Sequence, residues 1–163
     1  MVLGMSLETY TLTHVIISLI GIATGFIVLF GMLGGKLLKP WNAIFLVTTV
    51  LTSLGGFLFP FTHLLPSHIV GILSLIVLAI AIAALYLFHL NGPWRRTYVI
   101  TALIALYFNV FVLVVQLFLK VPAIHALAPT QTESPFKIAQ ILLLILFIGL
   151  IIAAAKKFRS PLP

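Results

Sequence analysis

The chain contains no cysteine and no aspartate, and its only acidic side chains are Glu8 and Glu133. Without thiols there are no disulfides, no thiolate metal sites, no iron–sulfur ligation and no cysteine nucleophile. Charged residues of both signs make up 7% of the 163 residues, whereas soluble domains carry about a quarter. That is too little polar surface to cover a water-facing globule. No carboxylate falls within the long apolar runs, which argues against proton-coupled pumps and carboxylate-ring cation channels. No HExxH and no G-x-S-x-G occurs, so neither a zinc protease nor a hydrolase built on Ser53 or Ser67 has a motif behind it.

What the chain has in abundance is apolar length, with 63% hydrophobic residues. The expected fold class is all-α: one transmembrane domain, a bundle of five helices. The spans are expected near Leu12–Leu33, Ala43–Phe61, His68–Leu90, Thr97–Leu119 and Phe136–Ala155, each close to the roughly 20 residues a helical crossing needs. Backbone groups in lipid must bond internally, and uninterrupted runs of this length meet that demand as helices. The breaks carry turn chemistry in "GGKLLKP", "HLLPS" and "NGPWRR". Before the last span, Ser134 is expected as N-cap, with Pro135 at the first helical position.

Basic residues set the expected orientation. Lys36, Lys39, Arg95, Arg96, Lys156, Lys157 and Arg159 fall on one side of a five-span chain, while Lys120, Lys137 and both glutamates fall on the other. The positive-inside rule puts the amino terminus outside and the carboxyl terminus in the cytoplasm, with "AAAKKFRSPLP" as a cytoplasmic anchor and tail. The net charge of +7 is thereby explained by topology, and nucleic acid is not an expected partner. The first apolar run lacks a basic leader and is read as a retained span. The five spans do not divide into equal halves, which weakens an inverted-repeat transporter reading.

This topology gathers His14, His63, His68, His125 and Glu133 at the outer end and leaves His89 at the inner end. Imidazole ligates zinc, copper or haem iron through one ring nitrogen while the other needs a hydrogen-bond partner. The five outer residues are therefore candidate metal ligands. The plainer alternative is that histidines at a membrane edge cap helix ends.

His14, Ser18, Gly21 and Gly25 share one face of the first span. Small residues there admit either a neighbouring helix or a flat cofactor. Thr48, Thr52, Gly55 and Phe59 repeat the pattern in the second span. In the fourth, Tyr98, Thr101, Ala105, Asn109, Val112 and Gln116 form a polar stripe. Asn109 and Gln116 are expected to face the interior, bonding either another helix or a ligand such as a quinone headgroup. The outer loop "KVPAIHALAPTQTESPF" adds His125, Gln131 and Glu133 to the same side.

Three stretches, "TTVLTSLGGFLFPF", "ALYFNVFVLVVQLFLKVPA" and "APTQTESPF", resemble small multi-pass proteins of the bacterial inner membrane. That resemblance implies a compartment and no particular activity. More loosely, histidines near helix ends of a small bundle are similar to the four-helix haem b proteins that exchange electrons with quinol. This likeness implies haem b and quinone as cofactors, with His14 and His68 (or His63) as axial ligands and Asn109 and Gln116 beside them. The chain departs from that pattern by a fifth span and by the lack of an outer arginine for the propionates. Alongside this redox module stand two other expectations. One is an accessory or assembly subunit, either within a larger membrane complex or as a homo-oligomer. The other is a small-molecule transporter or outer-side metal-binding protein.

Overall fold

The computed structural model describes residues 1–159; the last four residues of the tail, 160–163, lie outside the described residues. The chain is all-helical. Its elements are α1 (Leu7–Leu33), α2 (Lys39–Gly56), α3 (Pro66–Ile82, continued by a π-helical turn Ala83–Leu87), α4 (Trp94–Lys120), α5 (Pro122–His125) and α6 (Ser134–Lys157). Four of these segments are long and apolar enough to cross a membrane: α1, α3 with its π turn, α4 and α6. The 18-residue α2 is not among them. Asn42, Thr48, Thr49, Thr52 and Ser53 lower its hydropathy, and the packing explains their presence.

Helix α4 is the axis of the bundle. It touches α1, α2, α3 and α6, and these four surround it in the order α6, α1, α2, α3. No contact closes the ring between α3 and α6. Tyr98, Val99, Ala102, Leu103, Ala105 and Leu106 of α4 are fully buried and form the core with Val28, Leu29, Phe45, Leu78 and Phe147. Gly25 brings α1 against that core: a Cβ there would lie 2.5 Å from Leu106 Cδ1 and 2.9 Å from Phe45 Cε2.

Helix ends follow local chemistry. Ser6 Oγ accepts the Thr9 amide at the start of α1. At its end, Gly35 has φ +73°, its amide donates to Met32 O, and the Lys36 amide donates to Gly31 O. This is a Schellman end, and glycine takes the left-handed residue without a Cβ penalty. The π turn closes with the Leu90 amide on Ala84 O, and both His89 and Leu90 hold positive φ.

Several boundaries differ from expectation. Helix α2 stops at Gly56, five residues early, and leaves residues 57–65 irregular up to Pro66. The N-cap of α6 is Glu133, one residue before Ser134. The loop between α4 and α6 contains the short helix α5. The basic residues expected on one side do share one end of the bundle. A Cβ on Gly35 would lie 3.4 Å from Lys157 O, and Arg96 and Lys156 line one groove. Glu8 and Glu133, at the starts of α1 and α6, belong to the opposite end.

Candidate functional site

At the glutamate-bearing end His14, His68 and His125 each bond near the end of a helix, and His63 stands in the irregular segment 57–65. His14 Nε2 lies 3.0 Å from Thr52 O, among the last carbonyls of α2. One turn earlier on α1, Tyr10 Oη donates to Gly55 O at 2.7 Å. Phe59 packs edge-on against both rings, with centroids 4.9 Å from Tyr10 and 5.2 Å from His14. Two side chains of α1 thus donate to carbonyls of the last two turns of α2, and Gly55 O also takes the Leu58 amide. The carbonyl bond fixes Nε2 as the protonated nitrogen of His14.

His68 is the third helical residue of α3, and its Nδ1 accepts the Leu65 amide at 2.9 Å. A side chain at this position reaching back to the N-cap amide forms one half of a capping box. The ring is buried between Phe57 and Phe61. His125 Nδ1 lies 2.9 Å from Phe118 O and so donates to one of the last carbonyls of α4. His63 is exposed, and its Nδ1 is 3.2 Å from Thr62 Oγ1. Glu133 is engaged with its own loop, taking the amides of Thr130 and Thr132 and the Thr130 hydroxyl at 2.8 Å. Desolvation raises its pKa, but these bonds together outweigh that effect and hold the carboxyl below its ordinary range. Among the described residues, no three His, Asp or Glu side chains come together as a metal-ligand group.

The polar stripe of α4 divides. Tyr98 is fully buried, and its hydroxyl donates to Asn42 Oδ1 on α2. Asn109 faces inward, with Nδ2 3.4 Å from Thr49 Oγ1 and 3.6 Å from the Cβ position of Gly21. Gln116, expected inside, is exposed. Seven residues separate Asn109 from Gln116, and seven separate Thr49 from Gly56, each a rise of about 10 Å. Gln116 therefore comes level with the end of α2, where that neighbour runs out.

Seen together, the polar contacts converge on α2. Tyr10 and His14 join it to α1, the Ser53–Ser74 hydroxyl pair at 3.1 Å joins it to α3, and Tyr98 and Asn109 join it to α4. The small-residue face of α1 is filled the same way. Gly21 meets Thr48 and Thr49, and Gly25 meets Phe45 and Leu106.

Asn42 and Ser74 had no place in the sequence reading. Asn42 fell one residue before the expected span, although it is only 1% exposed. Tyr10 was detectable, since it extends the His14 face by one turn of four residues. No protein-family model, curated protein or solved structure matched the chain.

Proposed function

We propose that the chain is a five-crossing protein of the bacterial inner membrane, amino terminus outside and carboxyl terminus cytoplasmic, serving as an accessory or assembly subunit of a larger membrane complex. Support for counting α2 as a crossing comes from Asn42, Thr49 and Ser53, which turn inward and bond neighbouring helices, and from Thr48 and Thr52, whose hydroxyls bond carbonyls of α2 itself, so none needs water. Its 18 residues rise about 27 Å, close to a hydrocarbon core of about 30 Å. The gathering of cations at one end supports the orientation. A carboxyl-terminal reporter active only in the exported compartment would overturn it.

The subunit role is carried by the outward face of α6. Ile138, Ile141, Ile145, Ile148 and Ile152 recur at spacings of three and four and are all at least half exposed. Within that stripe Gly149 is exposed, and a Cβ there meets nothing within 4 Å. A small residue among β-branched ones lets a second helix approach closely in lipid, where packing rather than water exclusion drives association. The test is Gly149→Ile, followed by purification in mild detergent and quantitation of stoichiometric partners. The substitution should release the partner while the chain keeps its own unfolding midpoint. A wild-type chain that carries no stoichiometric partner, or a partner indifferent to the change, refutes the role.

The haem b or quinone module is the alternative reading. His14 favours it, because its Nε2–H bond to a carbonyl leaves the Nδ1 lone pair for a metal, the arrangement ligating imidazoles use. His68 would have to release the Leu65 amide to ligate through either ring nitrogen, because an imidazole whose Nδ1 accepts carries its proton on Nε2. A haem absorption band in protein expressed with ample haem, lost on His14→Ala, would replace the packing role with this one.

A further inference from the structure

The end of the bundle that bears most of the basic residues holds a groove that none of the hydrogen bonds described above uses. It lies between α4 and α6, measures about 270 Å³, and is lined by Arg96, Ile100, Ile151, Ile152, Ala155 and Lys156. Its walls are apolar side chains, and Ala155 keeps one wall low. Arg96 precedes Ile100 by four residues, and Lys156 follows Ile152 by four, so each cation stands about one turn beyond its wall. Because α4 and α6 run in opposite directions, both cations cap the same end of the groove. Both are exposed, and neither enters a side-chain hydrogen bond among the described residues. The chain's two carboxylate side chains belong to the far end, so among the described residues no acidic side chain competes for the pair.

We propose that this groove binds one anionic phospholipid, with an acyl chain along Ile100, Ile151 and Ile152 and the phosphate between Arg96 and Lys156. The apolar walls match an acyl chain, and the cations match the negative headgroup at the depth where it lies. Basic recesses between membrane helices take anionic headgroups on this principle, with each cation contributing about fivefold to affinity. A soluble phosphate compound lacks the chain that the walls would hold. The inference requires the bundle to be embedded in a bilayer and shares Ile152 alone with the α6 stripe.

Native mass spectrometry of the full chain tests it, using phosphatidylglycerol and phosphatidylcholine with identical acyl chains. The wild type should retain one phosphatidylglycerol in preference to phosphatidylcholine by tenfold or more. The double variant R96Q/K156Q should lose that preference. K36Q/K39Q removes the same charge from the same end, away from the groove, and should keep it. Ile152→Trp should block retention of either lipid while leaving the cations in place. Equal retention of the two lipids by the wild type overturns the proposal. So does equal loss in both double variants, which would mean a diffuse basic surface. Displacement of the lipid by millimolar glycerol phosphate would mean that the headgroup alone is bound, and that also overturns it.

Discussion

The same substitution, glycine to alanine, should act with opposite sign at two positions of this bundle. At Gly25 the new methyl would stand 2.5 Å from Leu106 Cδ1 and 2.9 and 3.1 Å from the Phe45 ring. Both neighbours are fully buried, so neither has free space to move into. Overpacking of this kind costs about 1–3 kcal/mol. The better helix propensity of alanine returns at most about 1 kcal/mol, and less where the denatured state keeps its helices, as in SDS micelles. With little of that gain realised in SDS, Gly25→Ala should lose about 1–3 kcal/mol net. At Gly149 nothing lies within 4 Å of the new Cβ, and Gly149→Ala should gain about 0–1 kcal/mol. Reversible SDS unfolding in mixed micelles, followed through the fluorescence of Trp41 and Trp94, measures both. Leu106→Ala removes the nearest clashing atom, so the Gly25→Ala/Leu106→Ala pair should be less damaging than the sum of its singles by about 0.5–3 kcal/mol. A Gly25→Ala chain as stable as wild type, or strict additivity with Leu106→Ala, would refute the close approach of α1 to the core.

Tyr98→Phe and Asn42→Leu should each destabilise the bundle, and a double-mutant cycle should return a coupling of about 0.6–1.7 kcal/mol; additive effects would mean the buried pair does not hold α2 to α4. His89→Gly should stabilise by about 0.5–1 kcal/mol, because His89 holds φ +49° beside the π turn; a loss on SDS unfolding would show that the imidazole makes a needed contact. Glu133 has a lowered folded-state pKa, so its loop bonds contribute above the ordinary value of 4.5 and are lost as pH falls through the folded value. The Thr130 and Thr132 amide resonances should titrate together with a midpoint below 4.5, absent in Glu133→Gln; a midpoint at or above 4.5 contradicts the bonding described.

Much of the helical layout was readable from apolar run length and turn residues, because lipid leaves the backbone few alternatives. The difficulties lay at ends and at α2. Leu58 to Phe61 continue the apolar run past Gly56, so hydropathy alone carried the second segment too far. In the structure Leu58 and Phe61 are exposed and the chain turns toward Pro66. Asn42 was missed for the opposite reason: a polar residue beside Pro40 and Trp41 reads as a boundary. Its burial depends on Tyr98, 56 residues away, and no local pattern encodes that partner.

Asn42 and the histidines at the glutamate-bearing end show the same limit from two directions. Sequence puts His14, His63, His68 and His125 at one end, and common location suggests one shared site. Geometry assigns them by a different requirement. Each helix end must find partners for its orphan amides or carbonyls, and in a membrane few polar side chains are available to supply them. An imidazole can donate or accept, so it suits either kind of end. His14 and His125 serve the carbonyl ends of α2 and α4, and His68 serves the amide end of α3. The carboxyl end of α4 and the amino end of α3 thus draw on His125 and His68, and His14 donates into the last turns of α2, so each of the three has a bonding role of its own. Asn42, Thr49 and Ser53 follow the same logic within α2, where they bond α4 and α3. The one long helix not apolar enough to count as a crossing by hydropathy is consequently the one to which three others are tied. Its polar residues lower its hydropathy and, turned inward, fix its neighbours.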